Sequence, residues 1–497
     1  MRRAIPVLVV TALLVAGASA QHEALAGFDA YVGKAVKDWR VPGLAIAVVK
    51  DGRVVFSHGY GVRELGKPDA VDTHTLFAIG STTKAMTAAL VGMLVDENKV
   101  EWDAPVTKYL PWFQLKDPSA TREVTVRDLL THRAGLGNAD YLWYGQRNST
   151  EEILRRVRLI DPAYSLRSGF IYQNIMYAAA GAVIEAASGT PWTTMIQTRI
   201  FDPLGMRDTI PTAVTLSSRP NVVSPHFVVD GAVRVIENAS VDPVAAAGSV
   251  WSSVDDMAKW MQFLLDGGKV AGGKRLLSEP VFKELFTPQT IAPYEMYPTT
   301  RLTAPHWMTY GLGWFQQDYR GRAVDFHTGS IDGMVAIHGL IRDERLGVYV
   351  LGNLDHAEVR HALMYSVFDR YGSGSDRDWS AEFLKLYGDI QREENQGRAE
   401  KDALRVTGTS PSVPLGRFAG DYSEPLHGDV KVTHDGRVLR VQYGSAFDGT
   451  LEHWHYNTFK ATWKAAWRAP QLVTFVLDEN GKPAAVELMG ARFGIKK

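Results

Sequence analysis

A serine hydroxyl is a weak nucleophile until a base takes its proton, which makes the segment Ser81-Thr82-Thr83-Lys84 the first candidate for chemistry. Residues three apart share one face of a helix, so the amine of Lys84 can lie beside the hydroxyl of Ser81. A helix start would add unpaired backbone N–H groups and partial positive charge for an oxyanion forming at that serine. The chemistry would be acyl transfer through a covalent intermediate on Ser81. By itself the tetrapeptide also reads as a solvated helix start capped by Ser81. Two more polar clusters stand out. Tyr172-Gln173-Asn174 reads alone as a core tyrosine ahead of a helix, and His327-Thr328-Gly329-Ser330 reads alone as a polar turn between strands.

The surrounding elements have to bring these three segments together. After Ser81 the apolar residues Met86, Ala89, Leu90, Met93 and Leu94 follow a helical period. Further helices are predicted over 126–131, 177–187 and 253–265, the last with Ser253 ahead of Asp255 and Asp256 as its start signal. Apolar runs at 44–49 and 54–56 flank Asp51-Gly52, the pattern of a β-hairpin. Strand-like stretches return at 310–316, 335–341 and 346–351. The order strand, helices, strand predicts an α+β fold with the sheet closed by both ends of the segment. Residues 372–414 are polar and charged and read as a linker holding one helix. From 415 to 497 the pattern is β throughout, with turns at Asp435-Gly436 and Asn480-Gly481, which predicts a separate small antiparallel domain.

Taken together, in this order and at these separations, the three segments resemble the penicillin-recognising serine hydrolases. The branch is that of class C β-lactamases, D-alanyl-D-alanine carboxypeptidases, D-aminopeptidases and β-lactamase-like esterases. The stretches Phe77-Ala78-Ile79-Gly80, Asp128 through Leu136, Ala247-Gly248-Ser249 and Tyr310-Gly311-Leu312-Gly313-Trp314 also fit, and the resemblance spans residues 25–371. It implies a β-lactamase/transpeptidase-like domain with an antiparallel sheet, helices and an all-helical subdomain. It also implies roles: Ser81 as the acylated nucleophile, Lys84 as its proton partner and Tyr172 as the residue that shuttles protons and activates the deacylating water. Asn174 would contact a substrate amide carbonyl. The backbone N–H groups of Ser81 and Ser330 would form the oxyanion hole, with His327, Thr328 and Gly329 on the strand lining the cleft. His132, in a Thr-His pair, is structural in this family. Lysine and tyrosine both titrate near pH 10 when unperturbed. Two routes to a base therefore stand open: burial lowering Lys84, or a charged Lys84 lowering Tyr172.

One position departs from the pattern. The β-lactamase branch has Lys-Thr-Gly where this chain has His327-Thr328-Gly329. A histidine is a weaker, pH-dependent cation for a drug's carboxylate, which favours a peptidase or esterase over a β-lactamase. The aromatic stretches at 141–144 and 294–297 are candidates for an apolar cleft. The C-terminal segment resembles the lipocalin-like β-barrel appended to some peptidases of this family, through Tyr422 and the run Leu451-Glu452-His453-Trp454-His455-Tyr456. Such appendages shape access to the site or mediate assembly, so a homo-oligomer is one expected state. His453 and His455 fall on one side of a strand, but without further ligands nearby no metal site is expected.

Composition narrows the field. Apolar residues at 45% and charged residues at 22% are those of an ordinary soluble globular protein. The net charge of -1 shows no basic face for nucleic acid. Arg2 and Arg3, an apolar run and Ala18-Ser19-Ala20 read as a cleavable export signal over residues 1–20, giving a periplasmic or secreted protein with no later membrane span. There is no cysteine for a disulfide or a thiol nucleophile. No zinc-protease, phosphate-loop or dinucleotide motif occurs, and no cofactor is implied. The expected activity is hydrolysis of short peptides or amides, D-residues included. A carboxylesterase is the alternative, and a non-catalytic binder of cell-wall peptides or protein is the reading from another class.

Overall fold

The hairpin expected near the N-terminus is present: Gly43–Lys50 (β1) and Arg53–Gly61 (β2) pair antiparallel. Asp51 and Gly52 between them have φ of 52° and 76°, the paired positive values of the tight turn that matches strand twist. In this computed structural model, residues 24–372, 374 and 377–496 are described. The export signal expected over 1–20 lies outside them.

Along the chain come β3 (Phe77–Ala78), the hairpin β4 (His226–Val229) and β5 (Ala232–Val235), and β6 (Trp251–Ser252), which pairs with β3. Six strands follow: β7 (Thr290–Ile291), β8 (Met308–Tyr310), β9 (Phe315–Tyr319), β10 (Arg322–Ile331), β11 (Met334–Ile341) and β12 (Leu346–Gly352). They join the hairpin in one antiparallel sheet ordered β2-β1-β12-β11-β10-β9-β8-β7. Both ends of the segment thus meet in one open sheet, where β1 pairs with β12, as the α+β reading requires.

Alternation along a strand sends neighbouring side chains to opposite faces. In β1, Ala45, Ala47 and Val49 enter one core while Leu44, Ile46 and Val48 enter the other. The longer helices divide accordingly. On the first face lie α2 (Thr83–Asp96), α3 (Asn174–Ser188) and α4 (Val254–Leu265); on the second lie α1 (Phe28–Asp38), α5 (Val359–Tyr371) and the start of α6 (Trp379–Ala403). Helix α2 is buried from Thr83 to Leu94 on every side. Apolar residues fall on every side of it, which suits a central helix better than a surface one. Ser253 caps α4 by accepting from the Asp256 N–H.

Two strand readings change. The stretch 310–316 is not one strand: β8 ends at Tyr310, β9 starts at Phe315, and the connecting turn carries Gly313 at φ 87°. A Cβ there would sit 2.9 Å from the Ala85 backbone, so glycine lets this turn pack on the first turn of α2. His327 to Ser330, read alone as a polar turn, stand on a strand, as the resemblance implies. They lie inside β10, paired with β11 from Asp325↔Leu340 to Ile331↔Met334.

The polar segment from 372 holds α6, whose start belongs to the second core. Trp379 and Phe383 are buried, and the Trp379 Nε1–H donates to Asp369 Oδ2 at 2.8 Å. Beyond it, β13 (Gly420–Glu424), β14 (Gly428–His434), β15 (Leu439–Tyr443), β16 (Phe447–His455), β17 (Thr458–Trp463), β18 (Gln471–Leu477), β19 (Pro483–Leu488) and β20 (Ala491–Ile495) form a closed antiparallel barrel. Phe418, Tyr422, Phe459, Trp463, Phe475 and Phe493 fill its interior, the packed centre normal for eight strands. Among the described residues, no helix is long and apolar enough to cross a membrane.

Trp379→Ala should cost about 3–5 kcal/mol of stability in urea denaturation, the usual cost of truncating a buried aromatic. Leu404→Ala, at the exposed end of the same helix, should stay within about 0.5 kcal/mol. Equal effects at the two sites would contradict the placement of α6.

Candidate active site

Ser81 lies in a single helical turn, Gly80–Thr82, between β3 and α2. Lys84 follows one turn later, fully buried. Its Nζ lies 2.9 Å from Ser81 Oγ, 2.8 Å from Asn174 Oδ1 and 2.9 Å from the Ala247 carbonyl oxygen. Burial drives the amine well below the ordinary lysine range, with only the charge of Asp140 acting the other way. Asp140 does not touch Lys84. It accepts from Asn174 Nδ2 at 3.3 and 3.2 Å on its two oxygens. The Asn174 amide thus bridges Lys84 and Asp140, a contact beside the substrate contact that the resemblance implies for it.

Tyr172 is delivered by the chain entering α3. His132 holds that entry: its Nδ1 accepts the Gln173 N–H at 3.0 Å, and its carbonyl accepts the Ile171 N–H at 3.0 Å. His132 is presented at φ 57° from a turn fixed by Asp128, which accepts from Arg133 Nε and Arg167 Nη2 at 2.7 Å each. The Tyr172 ring lies against the rings of His132, at 4.3 Å, and Phe315, at 6.5 Å, with Lys84 Nζ 4.8 Å from its centroid. Burial raises the Tyr172 hydroxyl well above the usual phenol range, opposed by the nearby Ser81 side chain. Burial pushes His132 well below the usual imidazole range, with Lys84 and His327 adding to the shift.

On β10, Gly329 faces Ser81. A Cβ there would lie 1.9 Å from the Ile79 carbonyl oxygen and 3.0 Å from Ser81 N, and one on Gly80 would lie 2.7 Å from Ser330 N. The absence of both lets the Ser81 and Ser330 amides approach one another. Thr328 turns to the other face, with Oγ1 2.8 Å from the Tyr297 hydroxyl.

His327 differs from the cation expected at its position. It is buried, with Nδ1 2.6 Å from the Thr328 carbonyl oxygen and Nε2 3.0 Å from the Tyr310 hydroxyl. A neutral ring satisfies both contacts, Nδ1–H donating and Nε2 accepting. Burial, followed by the nearby Lys84, holds it well below the usual imidazole range. Its partner Tyr310 lies 17 residues upstream on another strand, beyond the reach of any local pattern.

Asp140, the Ala247 carbonyl and Tyr310 are the site residues that motif reading did not assign. Asp140 sits in an irregular stretch with no periodic signal. Of the aromatic stretches, Tyr141 and Tyr144 pack on Phe447 of the barrel, and Tyr297 packs on Phe315 and Phe326. His453 Nε2 pairs with the Tyr456 carbonyl, and His455 Nδ1 accepts from the Val406 N–H. Among the described residues, no group of three or more His, Cys, Asp or Glu side chains is arranged to hold a metal.

A seryl turn, a buried lysine and a tyrosine meet beside two approaching amides, and the Beta-lactamase family model matches residues 28–368, the segment that holds them all. This chain belongs to the beta-lactamase family. The barrel matches a second model, a domain of unknown function (DUF3471), over residues 404–496. Among relatives of this beta-lactamase-family chain, the unguisins hydrolase ungD of Aspergillus violaceofuscus is 29% identical, over 92% of this chain and 87% of its own. Protein flp of Staphylococcus aureus strain MW2 is 21% identical over 66% of this chain and 62% of its own. The octameric penicillin-binding protein homologue from Pyrococcus abyssi shares the fold, with a TM-score of 0.62 and 22% identity over 94% of this chain and 99% of that one. SurE does so at a TM-score of 0.55 and 22% identity, over 96% and 100%.

Gly329→Ala should lower kcat/KM by about 100-fold or more, the scale of losing an oxyanion donor, as measured on any turned-over ester. Activity within a few-fold of wild type would show that the close approach of β10 to Ser81 is dispensable.

Proposed function

We propose that this chain is an exported serine hydrolase that cleaves amide bonds in short peptides through an acyl-enzyme on Ser81. The contact of Lys84 with Ser81 carries the reading. A neutral amine has two N–H donors and one lone pair. Asn174 Oδ1 and the Ala247 carbonyl can only accept, so they take the two N–H groups and leave the lone pair facing the Ser81 hydroxyl. Of the two routes to a base, this favours Lys84.

In the proposed reaction Lys84 takes the Ser81 proton as Oγ attacks the substrate carbonyl carbon. The Ser81 and Ser330 N–H groups receive the oxyanion. Tyr172, kept protonated by its surroundings, gives its proton to the leaving nitrogen as the C–N bond breaks, and regains one from Lys84. Water then attacks the ester carbon, giving up a proton to the Lys84–Tyr172 pair, and Ser81 leaves as the alcohol. An amine leaves poorly unless protonated, whereas an alkoxide needs less help. A protonated phenol beside Ser81 therefore suits amides, and esters should also turn over. His327, satisfied within the protein, offers no cation for a drug's carboxylate. The ungD relative, named a hydrolase, supports the reaction class. A homo-oligomer belongs to the proposal, supported by the octameric state of the Pyrococcus abyssi neighbour.

An activated-serine probe should add its mass to the wild type and not to Ser81→Ala; labelling that survives the substitution moves the nucleophile elsewhere. In a panel of D- and L-peptide anilides against short p-nitrophenyl esters, peptide turnover is expected, and ester turnover alone would replace the amidase reading with the esterase one. Asp140→Asn should shift the acid limb of kcat/KM to lower pH. The Asp140 charge raises the Lys84 pKa, so its removal lets the amine lose its proton at lower pH. A shift to higher pH would contradict Lys84 as the base.

A further inference from the structure

Behind β10, at the start of α5, lies a charged cluster that the reaction above does not use. Glu358, Arg360 and His361 are 6%, 4% and 0% exposed. Glu358 Oε1 accepts from Arg360 Nη2 at 2.9 Å, and Oε2 accepts from Arg360 Nε at 3.0 Å and pairs with His361 Nδ1 at 2.8 Å. The remaining guanidinium nitrogen, Nη1, is aimed into the sheet. It donates to the Gly329 carbonyl at 2.6 Å, Ser330 Oγ at 3.0 Å and the Ala336 carbonyl at 3.1 Å. Gly329 and Ala336 are register partners across β10 and β11.

The Gly329 carbonyl and the Ser330 N–H are the two ends of one planar peptide and point in opposite directions. With the carbonyl turned back onto Arg360, the N–H is turned toward Ser81, on the side where Gly80 approaches Ser330 N. A guanidinium on a carbonyl oxygen draws electron density along the peptide and makes its N–H a stronger donor. The effect is larger in a buried, low-dielectric setting. A buried ion pair adds little net stability compared with apolar packing, so a purely structural role gives this cluster little reason to sit here.

We infer that Arg360, held by Glu358, is a positioning residue for acylation: it orients and polarises the Gly329–Ser330 peptide so that the Ser330 N–H binds the tetrahedral oxyanion. The inference rests on the acyl-enzyme reading of Ser81. Glu358 supplies the counter-charge and fixes the fork, and His361 fixes Glu358.

The test uses the full chain and the double variant Arg360→Gln/Glu358→Gln, which removes the charge pair without leaving a carboxylate unpaired, with Arg360→Lys as the conservative variant. The probes are a p-nitrophenyl ester and phenylboronic acid, which forms a tetrahedral adduct on an active serine. The double variant should lose kcat by about 10- to 100-fold, less than removal of a donor outright, with KM within about twofold. Boronate affinity should fall by a similar factor, and Arg360→Lys should recover part of both. Boronate affinity and kcat within twofold of wild type overturn the inference. So does a kcat loss with unchanged boronate affinity, the pattern of a merely structural role. Should the double variant not fold, Arg360→Lys carries the test alone: parallel losses of kcat and boronate affinity support the inference, and wild-type values for both overturn it. Serine-probe labelling keeps the two readings apart. A labelled Ser81 with unchanged kcat in the variant overturns the role of Arg360 alone, whereas a wild type unlabelled at Ser81 overturns the acyl-enzyme reading with it.

Discussion

A lysine amine buried without a contacting counter-charge is the constraint on which the site depends. Lys84 is fully enclosed, and its three polar neighbours are a hydroxyl, a side-chain amide and a backbone carbonyl. Charging such a group costs several kcal/mol of lost hydration unless an anion offsets it. Asp140, the carboxylate whose charge acts on it, is linked to it through Asn174. Dehydration by the surrounding fold therefore favours the neutral amine, the form that the proposed reaction requires of Lys84.

The same enclosure explains where glycine is required. Gly313, Gly329 and Gly80 each stand where a Cβ would strike backbone of the seryl turn, of the first turn of α2 or of β10. Three separate segments, the β8–β9 turn, β10 and the seryl turn, close onto one another at atomic contact. A central helix surrounded this tightly has no solvated face from Thr83 to Leu94, the stretch that holds Lys84.

The N-terminal hairpin, most later strands and the β character of residues 415–497 were legible in the sequence because alternation and turn residues are local signals, whereas the strand order is set by non-local pairing. The 44–56 hairpin, β11, β12 and α4 stand where the pattern puts them. The split of 310–316 was not legible, since Tyr310 and Phe315 suit a strand and only packing of Gly313 against Ala85 breaks it. His327-Thr328-Gly329-Ser330 lacks a strand's composition and is held in β10 by pairing with β11, a non-local effect. The three motifs brought Ser81, Lys84 and Tyr172 into view, but the choice between the two bases rests on Asn174, Ala247 and burial, none of which spacing encodes. Asp140 and Arg360 carry no motif and emerge only from distances. The barrel touches this network too: Ser445 N–H donates to the Gly145 carbonyl at 2.7 Å, and Tyr144 joins Asp332 and Phe447. The short segment bearing Asp140 is thus gripped from both sides.

The most direct test of a neutral Lys84 is the pH dependence of Ser81 phosphonylation by an activated phosphonate, measured as a second-order rate constant from pH 4 to 10. A dehydrated amine gives a rate that reaches its plateau well below the ordinary lysine value of about 10.4. A rate still climbing tenfold per pH unit through pH 9 would mean that Lys84 keeps its proton in the resting enzyme, and the base would have to be sought elsewhere.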